Sequence, residues 1–550
     1  MTSTLPPQEP SDGLTSLESE IVQTVFNFQP GYAVFLGLHD YDGRLPDLSP
    51  AATASWARRA RELHGKVTRT DEFEQPSDRT YDRILLGLLL EGPLFDIEES
   101  HELERNPMSY VGQISLTPYL VRHYCPAPQR VASMTRILGG IPRLIETARQ
   151  RLMDPLPVPF VQLALTIVEG FPSHFAEAQA FANRVSNGEA VEMSHARTEG
   201  EAVLADFAKE LREEYLPTAT PDFALGPARY QKLLWVREGI RTPAAEILQR
   251  GWDDLRRNQV RLEKLALERQ PKVTVVELLD ESFRQHATAD GLILRAESFV
   301  EETRSFVRSH DLVTIPEPSR CRVTETPSYG RAMSTASMDP PGPFDELSEE
   351  GIFYVTPVDP SWPPERQEEW LRSLNDATLK ITTIHEVFPG HYLQFLHFRA
   401  TRSSLARKSY LSAAFTEGWA HYCEQLAIEQ GLAKGGSSAE VAQIHDALLR
   451  DCRLIASVGL HTQGYTIDWA TQLFRTEAHL EEFPAQREAI RGTFNPEYFV
   501  YTLGKLAILD VRGKYLHSRF GGSLKRFHDR ILGFGCPPVG FLDVLLSAPN

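Results

Sequence analysis

His385, Glu386 and His391 are the residue types from which hydrolytic metal sites are built, and they lie within one short segment, His385-Glu386-Val387-Phe388-Pro389-Gly390-His391. In the common zinc pattern H-E-x-x-H the two histidines sit one helical turn apart, and the Glu between them acts as general base. Here the second histidine comes six positions after the first. Six residues of ideal helix rotate by about 240°, so on an unbroken helix the imidazoles would diverge. Pro389-Gly390 supplies a remedy. Proline removes a backbone donor and glycine tolerates unusual dihedrals, so a bulge or a break and restart can absorb two residues and let both imidazoles converge on one metal.

A two-histidine catalytic site needs a third ligand and keeps a fourth position for water. Glu417-Gly418-Trp419-Ala420-His421-Tyr422-Cys423-Glu424 follows on a second helical run and offers a carboxylate. Glu417, His421 and Glu424 fall at i, i+4 and i+7, along one helix face. We take Glu417 as the third ligand. His421 and Glu424 are better suited to supporting the ligands than to binding metal, the bland alternative being a solvated helix face. His397 lies in an ordinary amphipathic run and is read as structural.

Around this segment the sequence predicts a mainly α fold. From Leu17 to about Val300 apolar residues recur at three- and four-residue spacing in stretches broken by prolines, such as Ala51 to Val67, Pro142 to Met153, Phe171 to Ser186 and Ala244 to Glu268. Cys321 to Thr326 and Gly351 to Thr356 have β composition, separated by the loop Asp339-Pro340-Pro341-Gly342-Pro343, and predict a small antiparallel sheet before the His-Glu helix. Such a sheet edge can pair with an extended peptide, as in gluzincin-type zinc peptidases. Helices are expected over Thr378 to Phe388, His391 to Arg402, Leu411 to Gln430, Ala439 to Ala456, Thr466 to Leu480, Pro496 to Leu516 and Leu524 to Leu532. The organisation expected is a mobile tail over 1–16, a helical region over 17–300 and a catalytic region over 301–550, the two regions packed as one cleft-forming unit.

Composition narrows the functional class. The 550 residues carry a formal net charge of −17, which favours solubility and argues against nucleic acid, since phosphate binding needs a basic surface. Five cysteines, an odd number without a CxxC pair, fit a reducing compartment and no disulfide framework. No basic stretch followed by an apolar run opens the sequence, and nothing approaches ~18 uninterrupted apolar residues. The expectation is a cytoplasmic protein without a membrane anchor.

These motifs resemble the DUF885 family of bacterial and fungal proteins, regarded as zinc metallopeptidases. Its H-E-x-x-P-G-H-x-x-Q signature is intact from His385 to Gln394, and its E-G-W-A-x-Y-x-E signature from Glu417 to Glu424. Weaker correspondences are Asp40-Tyr41-Asp42-Gly43-Arg44-Leu45-Pro46-Asp47 and Gly351-Ile352-Phe353-Tyr354-Val355. The resemblance implies a large helical, zincin-like (gluzincin) fold similar to those of angiotensin-converting enzyme, the thimet oligopeptidases and the helical carboxypeptidases, and dipeptidyl peptidase III offers a comparison in which histidines spaced more widely than H-E-x-x-H still bind zinc. Two elements depart from the family. In R-x-x-x-D-x-G-x-H, Ser457 replaces Asp, although Arg453, Gly459 and His461 match. In P-G-Q-x-x-x-Y-x-x-G, Asn495, Pro496 and Glu497 replace Pro, Gly and Gln, although Tyr501 and Gly504 match.

The expected centre therefore holds one zinc per chain through His385, His391 and Glu417. Glu386 takes a proton from the water that attacks a carbonyl carbon and returns it to the leaving amine. His461 and Tyr501 are candidate donors to the oxyanion, and Arg453, Glu497 and Tyr498 candidate substrate contacts. Taken alone, a histidine after a helix and a cluster of tyrosines are more often packing residues. The substrate class is a short peptide or a peptide-like small molecule, and the substituted elements favour a specialised one. An amide or ester hydrolase, or a biosynthetic enzyme acting on a peptide-like molecule, would keep the same site. A binding protein on an old enzyme fold would have no use for Glu386.

Overall fold

Prolines punctuate the first half of the sequence, yet the helices run through several of them. A computed structural model describes residues 13–68, 78–185, 187–269, 272–327, 330–331, 334–346, 350–400, 404–433, 437–517 and 522–547. The helices expected to begin at Pro142 and Phe171 are the later parts of two longer ones, Ala127–Arg151 and Val158–Val185, with Pro142 and Pro172 in their interiors. Burial explains the difference. An interior proline costs about 3 kcal/mol, whereas each fully buried Ile, Leu or Phe contributes about 1.5–3 kcal/mol. Ile137, Leu138, Ile141, Leu144 and Ile145 on the first helix and Phe171 and Phe175 on the second all lie in one core.

Contacts divide the chain into two compact units. The first comprises Met1–Phe223 with Gly342–Ser348 and Ser403–Tyr410. Its described part is helical, and Glu18, on the opening helix Gly13–Phe28, accepts a hydrogen bond from the Ala406 amide at 2.6 Å, which ties the returning segment in place. Residues 13–16 of the expected tail thus belong to a helix, and the remainder of that tail lies outside the described residues. The second unit comprises Ala224–Pro341, Glu349–Arg402 and Leu411–Asn550. The boundary expected between residues 300 and 301 falls inside it.

Within the second unit are three strands, β1 (Arg320–Glu325), β2 (Ala336–Asp339) and β3 (Glu350–Val355), in the order β1-β3-β2. The sheet is mixed rather than antiparallel. β2 and β3 pair antiparallel, but β1 and β3 run parallel, with Arg322 opposite Ile352. Strand composition reveals a pleated, half-buried segment and not which neighbour it takes. Here β3 inserts between its two predecessors, so the first and third strands point the same way.

Helices of this unit carry the chemistry. We refer to the His385 helix (Asp376–Glu386), the His391 helix (His391–Ala400), the Glu417 helix (Ala413–Glu429), the Arg450 helix (Ser438–Thr462), the Glu488 helix (Glu482–Phe494) and the Tyr501 helix (Val500–His517). The Arg450 helix runs past the expected end at Ala456, so His461 sits in its last turn rather than after it. β2 lies at a sheet edge and packs beside the His385 and His391 helices. Among the described residues no helix is long and apolar enough to cross a membrane.

Candidate metal centre

Asn375 starts the His385 helix by accepting from the Ala377 and Thr378 amides, both at 3.0 Å. The helix ends at Glu386, and the chain makes the detour that the histidine spacing requires. The Gly390 amide donates to the Ile384 carbonyl at 3.0 Å and the Leu393 amide to that of Val387 at 3.2 Å, each reaching back six residues where an α-helix reaches four. Two residues are thereby looped out. Normal bonding resumes with Gln394 donating to Gly390 at 3.0 Å. A Cβ on Gly390 would stand 1.8 Å from the His385 carbonyl oxygen, so only glycine fits.

A second device fixes this loop against the Glu417 helix. The Trp419 indole, fully buried, donates to the Pro389 carbonyl at 2.8 Å. Ser412 caps the helix at the Phe415 amide, and the buried Glu238 carboxyl accepts from the Ala414 amide at 2.8 Å. The Tyr501 helix crosses at two facing glycines. A Cβ on Gly504 would meet the Ala414 carbonyl oxygen at 1.8 Å, and one on Gly418 would meet the Gly504 backbone at 2.4 Å. This close crossing brings Tyr501 and Glu417 into one neighbourhood.

His385, His391 and Glu417 each offer a ligand atom, and these atoms lie within 4.8 Å of one another. The Glu417 Oε2 is 3.4 Å from His385 Nε2 and 3.5 Å from His391 Nε2. Ligand atoms about 2.05 Å from a tetrahedral zinc would stand about 3.3 Å apart, so this spacing fits that ion. The rings meet nearly at right angles, with centroids 4.7 Å apart.

The surroundings prepare the donor atoms. His385 Nδ1 is 2.6 Å from Glu424 Oε1, which keeps a proton on Nδ1 and presents the Nε2 lone pair to the cluster. Arg450 and His421 hold Glu424 in turn, at 3.1 Å and 3.3 Å. Burial would raise the Glu424 pKa, but Arg450, His421 and His385 outweigh it and keep the carboxyl ionised. Burial likewise opposes charge on His385, yet Glu417 and Glu424 draw its pKa up to about 10. Without metal, a proton is thus held where two carboxylates favour a cation. Glu417 itself is pushed well below the usual carboxylate range, its burial overcome by the two imidazoles.

The Glu386 carboxylate, half-buried, makes no hydrogen bond or ion pair with a described residue. Burial raises its pKa, with His391 and His385 pulling the other way. Tyr501 is similar: burial and then the Glu417 charge raise its pKa, and its hydroxyl makes no hydrogen bond with a described residue. Arg450 and Arg453, neighbours on one helix, both lie over its ring, their guanidinium carbons 5.9 Å and 5.2 Å from the centroid.

The remaining candidates have other partners. His461, almost fully buried, has both ring nitrogens beside main-chain groups, Nδ1 3.3 Å from the Leu225 amide and Nε2 2.9 Å from the Gly492 carbonyl. It pins helix ends together and has no nitrogen left to offer an oxyanion. Arg453 forms a two-pronged ion pair with Glu488, both contacts at 2.8 Å. Tyr498 is fully buried, its hydroxyl on the same Glu488. Glu497 pairs with Arg237 at 2.9 Å. Arg453, Tyr498 and Glu497 therefore shape the wall around Tyr501 through each other and their neighbours. The two departures from the family pattern also meet. Ser457 Oγ donates to the Pro496 carbonyl at 2.7 Å and lies 2.7 Å from the Tyr230 hydroxyl.

Glu424, inferred from helix phase, is a support whose removal has a defined effect. Glu424→Gln is expected to weaken zinc binding about 10–100-fold. The fold should persist, because the amide retains the shape. Competition with a chelator of known affinity measures this, and unchanged affinity would strip Glu424 of the role.

No curated protein matches the chain. Two solved structures share its fold. That of "a putative lipoprotein of unknown function" from Shewanella oneidensis is 23% identical, with a TM-score of 0.79 over 98% of this chain and 100% of the other. That of "the putative lipoprotein" from Colwellia psychrerythraea is 17% identical, with a TM-score of 0.81 over 97% and 98%. At such identities the likeness shows the fold alone. A family model described as "Bacterial protein of unknown function (DUF885)" matches residues 30–546, a span that includes both signature segments. The chain belongs to the DUF885 family.

Proposed function

We propose that this chain is a zinc-dependent hydrolase of the gluzincin type that cleaves a peptide or peptide-like amide bond. The observation that carries the proposal is the convergence of His385, His391 and Glu417 at tetrahedral-zinc spacing beside a Glu386 carboxylate with no partner of its own. A purely structural zinc site has four protein ligands and gains nothing from a poised base. When bound, zinc supplies Lewis acidity, polarising a carbonyl and acidifying water at the open position.

The chain's own residues do the rest. Glu386, its pKa raised by burial, accepts the proton of the attacking water and passes it to the leaving nitrogen. Tyr501 donates its free hydroxyl to the oxygen on which charge develops. An extended substrate has a pairing partner in the edge strand β2, beside the His385 and His391 helices. Zinc-loaded protein incubated with a short-peptide library, with products read by mass spectrometry, tests the proposal. Cleavage abolished by chelator and restored by zinc supports it, and an absence of any cleavage contradicts it.

Tyr501→Phe is expected to lower turnover about 10²–10³-fold while KM changes little, since the hydroxyl is used mainly at the transition state. Full turnover in that variant would return Tyr501 to packing. The five cysteines are all unpaired, which fits the reducing cytoplasm in which we place the protein. Because two proteins of this fold are each described as a "putative lipoprotein", cell fractionation is the discriminating measurement, and recovery with membranes would overturn the placement.

A further inference from the structure

Three arginines and two tyrosines alternate along the wall next to the metal centre. Arg450 and Arg453 lie over the Tyr501 ring, and Arg453 and Arg491 over the Tyr498 ring at 5.0 Å and 4.8 Å. Their charges are not equally used. Arg450 is bound by Glu424 and Arg453 by Glu488. Arg491, half-buried on the Glu488 helix, pairs with no carboxylate among the described residues. The nearby Glu488 is already taken by Arg453 and by the Tyr498 hydroxyl.

We infer that Arg491 binds a carboxylate of the substrate beside the metal centre, so that the enzyme prefers anionic peptides or peptide-like acids. The inference rests on the hydrolase reading and adds a substrate class to it. A guanidinium stacked on a tyrosine is pre-oriented, and its planar fork matches a carboxylate in two parallel hydrogen bonds. Half-burial strengthens such a bond relative to open water, and leaving the charge unpaired there would bring no return. Arg491 shares the Tyr498 ring with Arg453, which in turn lies over the Tyr501 ring, so the chain of contacts runs from Arg491 to the tyrosine nearest the metal centre. The chain as a whole carries −17, so anions are repelled over much of the surface and an unneutralised cation here selects where they settle.

A carboxylate can come from a peptide C-terminus or from an acidic side chain, and matched peptides separate the two. Zinc-loaded protein is assayed with acetyl-Phe-Leu-Ala as free acid and as amide, and with the amidated Glu and Gln forms of the middle residue. In the wild type one member of a pair is expected to have a kcat/KM about 10–100-fold above its neutral partner, mainly through KM. Arg491→Met, which keeps an apolar stem against Tyr498, should bring that ratio close to one. Arg491→Lys, keeping the charge without the fork, should retain part of it. Preference in the first pair assigns the C-terminal carboxylate, and preference in the second an acidic side chain. Calorimetry with a tripeptide hydroxamate, as acid and as amide, reads binding independently of turnover. Equal binding of the two hydroxamates together with equal kinetics in both peptide pairs, or a preference that survives Arg491→Met, overturns the inference and leaves the hydrolase reading standing. Failure of both hydroxamates to bind and of every peptide to be cut overturns the two together.

Discussion

Gly390→Ala is expected to abolish zinc binding and hydrolysis together while leaving most of the helical structure intact. The added methyl would sit 1.8 Å from the His385 carbonyl oxygen and within 2.4 Å of the Ile384 carbonyl oxygen, both backbone atoms. A flexible side chain could move aside, but backbone must shift. The loop that must give way carries His385 at one end and His391 at the other, and it is pinned from the far side by Trp419. A displacement of about 1 Å is enough to spoil a constellation of this kind. Gly139→Ala, on the helix Ala127–Arg151 with nothing within 4 Å of the added carbon, is the matched control. Zinc content by elemental analysis and helix content by circular dichroism check the result. Wild-type zinc in Gly390→Ala would mean that the detour has slack to spare and does not set the spacing.

Glu386→Gln should have the second large effect, and of the opposite kind. Its amide is nearly isosteric, and because Glu386 makes no hydrogen bond or ion pair with a described residue, no partner in the fold is lost. Zinc content and stability should stay at wild-type values. Turnover should fall about 10²–10⁴-fold, the usual contribution of a positioned general base. Burial raises the carboxyl pKa, which brings the base closer to the operating range and makes it a better proton acceptor and later donor. Comparable turnover in Glu386→Gln and wild type would remove the general base, and loss of zinc in that variant would make Glu386 a ligand instead.

The convergence of His385 and His391 was legible because it is local. His385, His391 and the Pro389-Gly390 insertion share one segment, and the hydrogen bonds that skip six residues are the physical form of the two residues a helix would have to absorb. Glu424 was reachable from helix phase alone. His461 was not, because its fate depends on Leu225 and Gly492, which are far away in sequence. Arg453, matched to the family element, was a candidate substrate contact, and the structure supplies Glu488 from a helix the sequence concealed. That helix, Glu482–Phe494, opens with Phe483-Pro484 and buries Ala485, Ala489, Gly492 and Thr493, so it has no large apolar stripe to betray it. Arg491 shares it, and no motif or spacing marks that residue. Two of the three strands were legible; β2, whose last residue Asp339 falls in the expected loop, was not, and the direction of β1 was misjudged, since pairing is decided by the order of insertion. The two departures from the family pattern were visible separately, and only the Ser457 to Pro496 hydrogen bond shows that they are one contact.

The most direct test of the account is a zinc titration of chelator-treated protein, followed by calorimetry and by elemental analysis after desalting. One equivalent per chain should bind to the wild type, and His385→Ala should take up almost none, because it loses the ligand that Glu424 aims. Less than about a tenth of an equivalent retained by the wild type, or uptake undiminished in His385→Ala, would contradict the assignment of His385, His391 and Glu417 as a zinc centre.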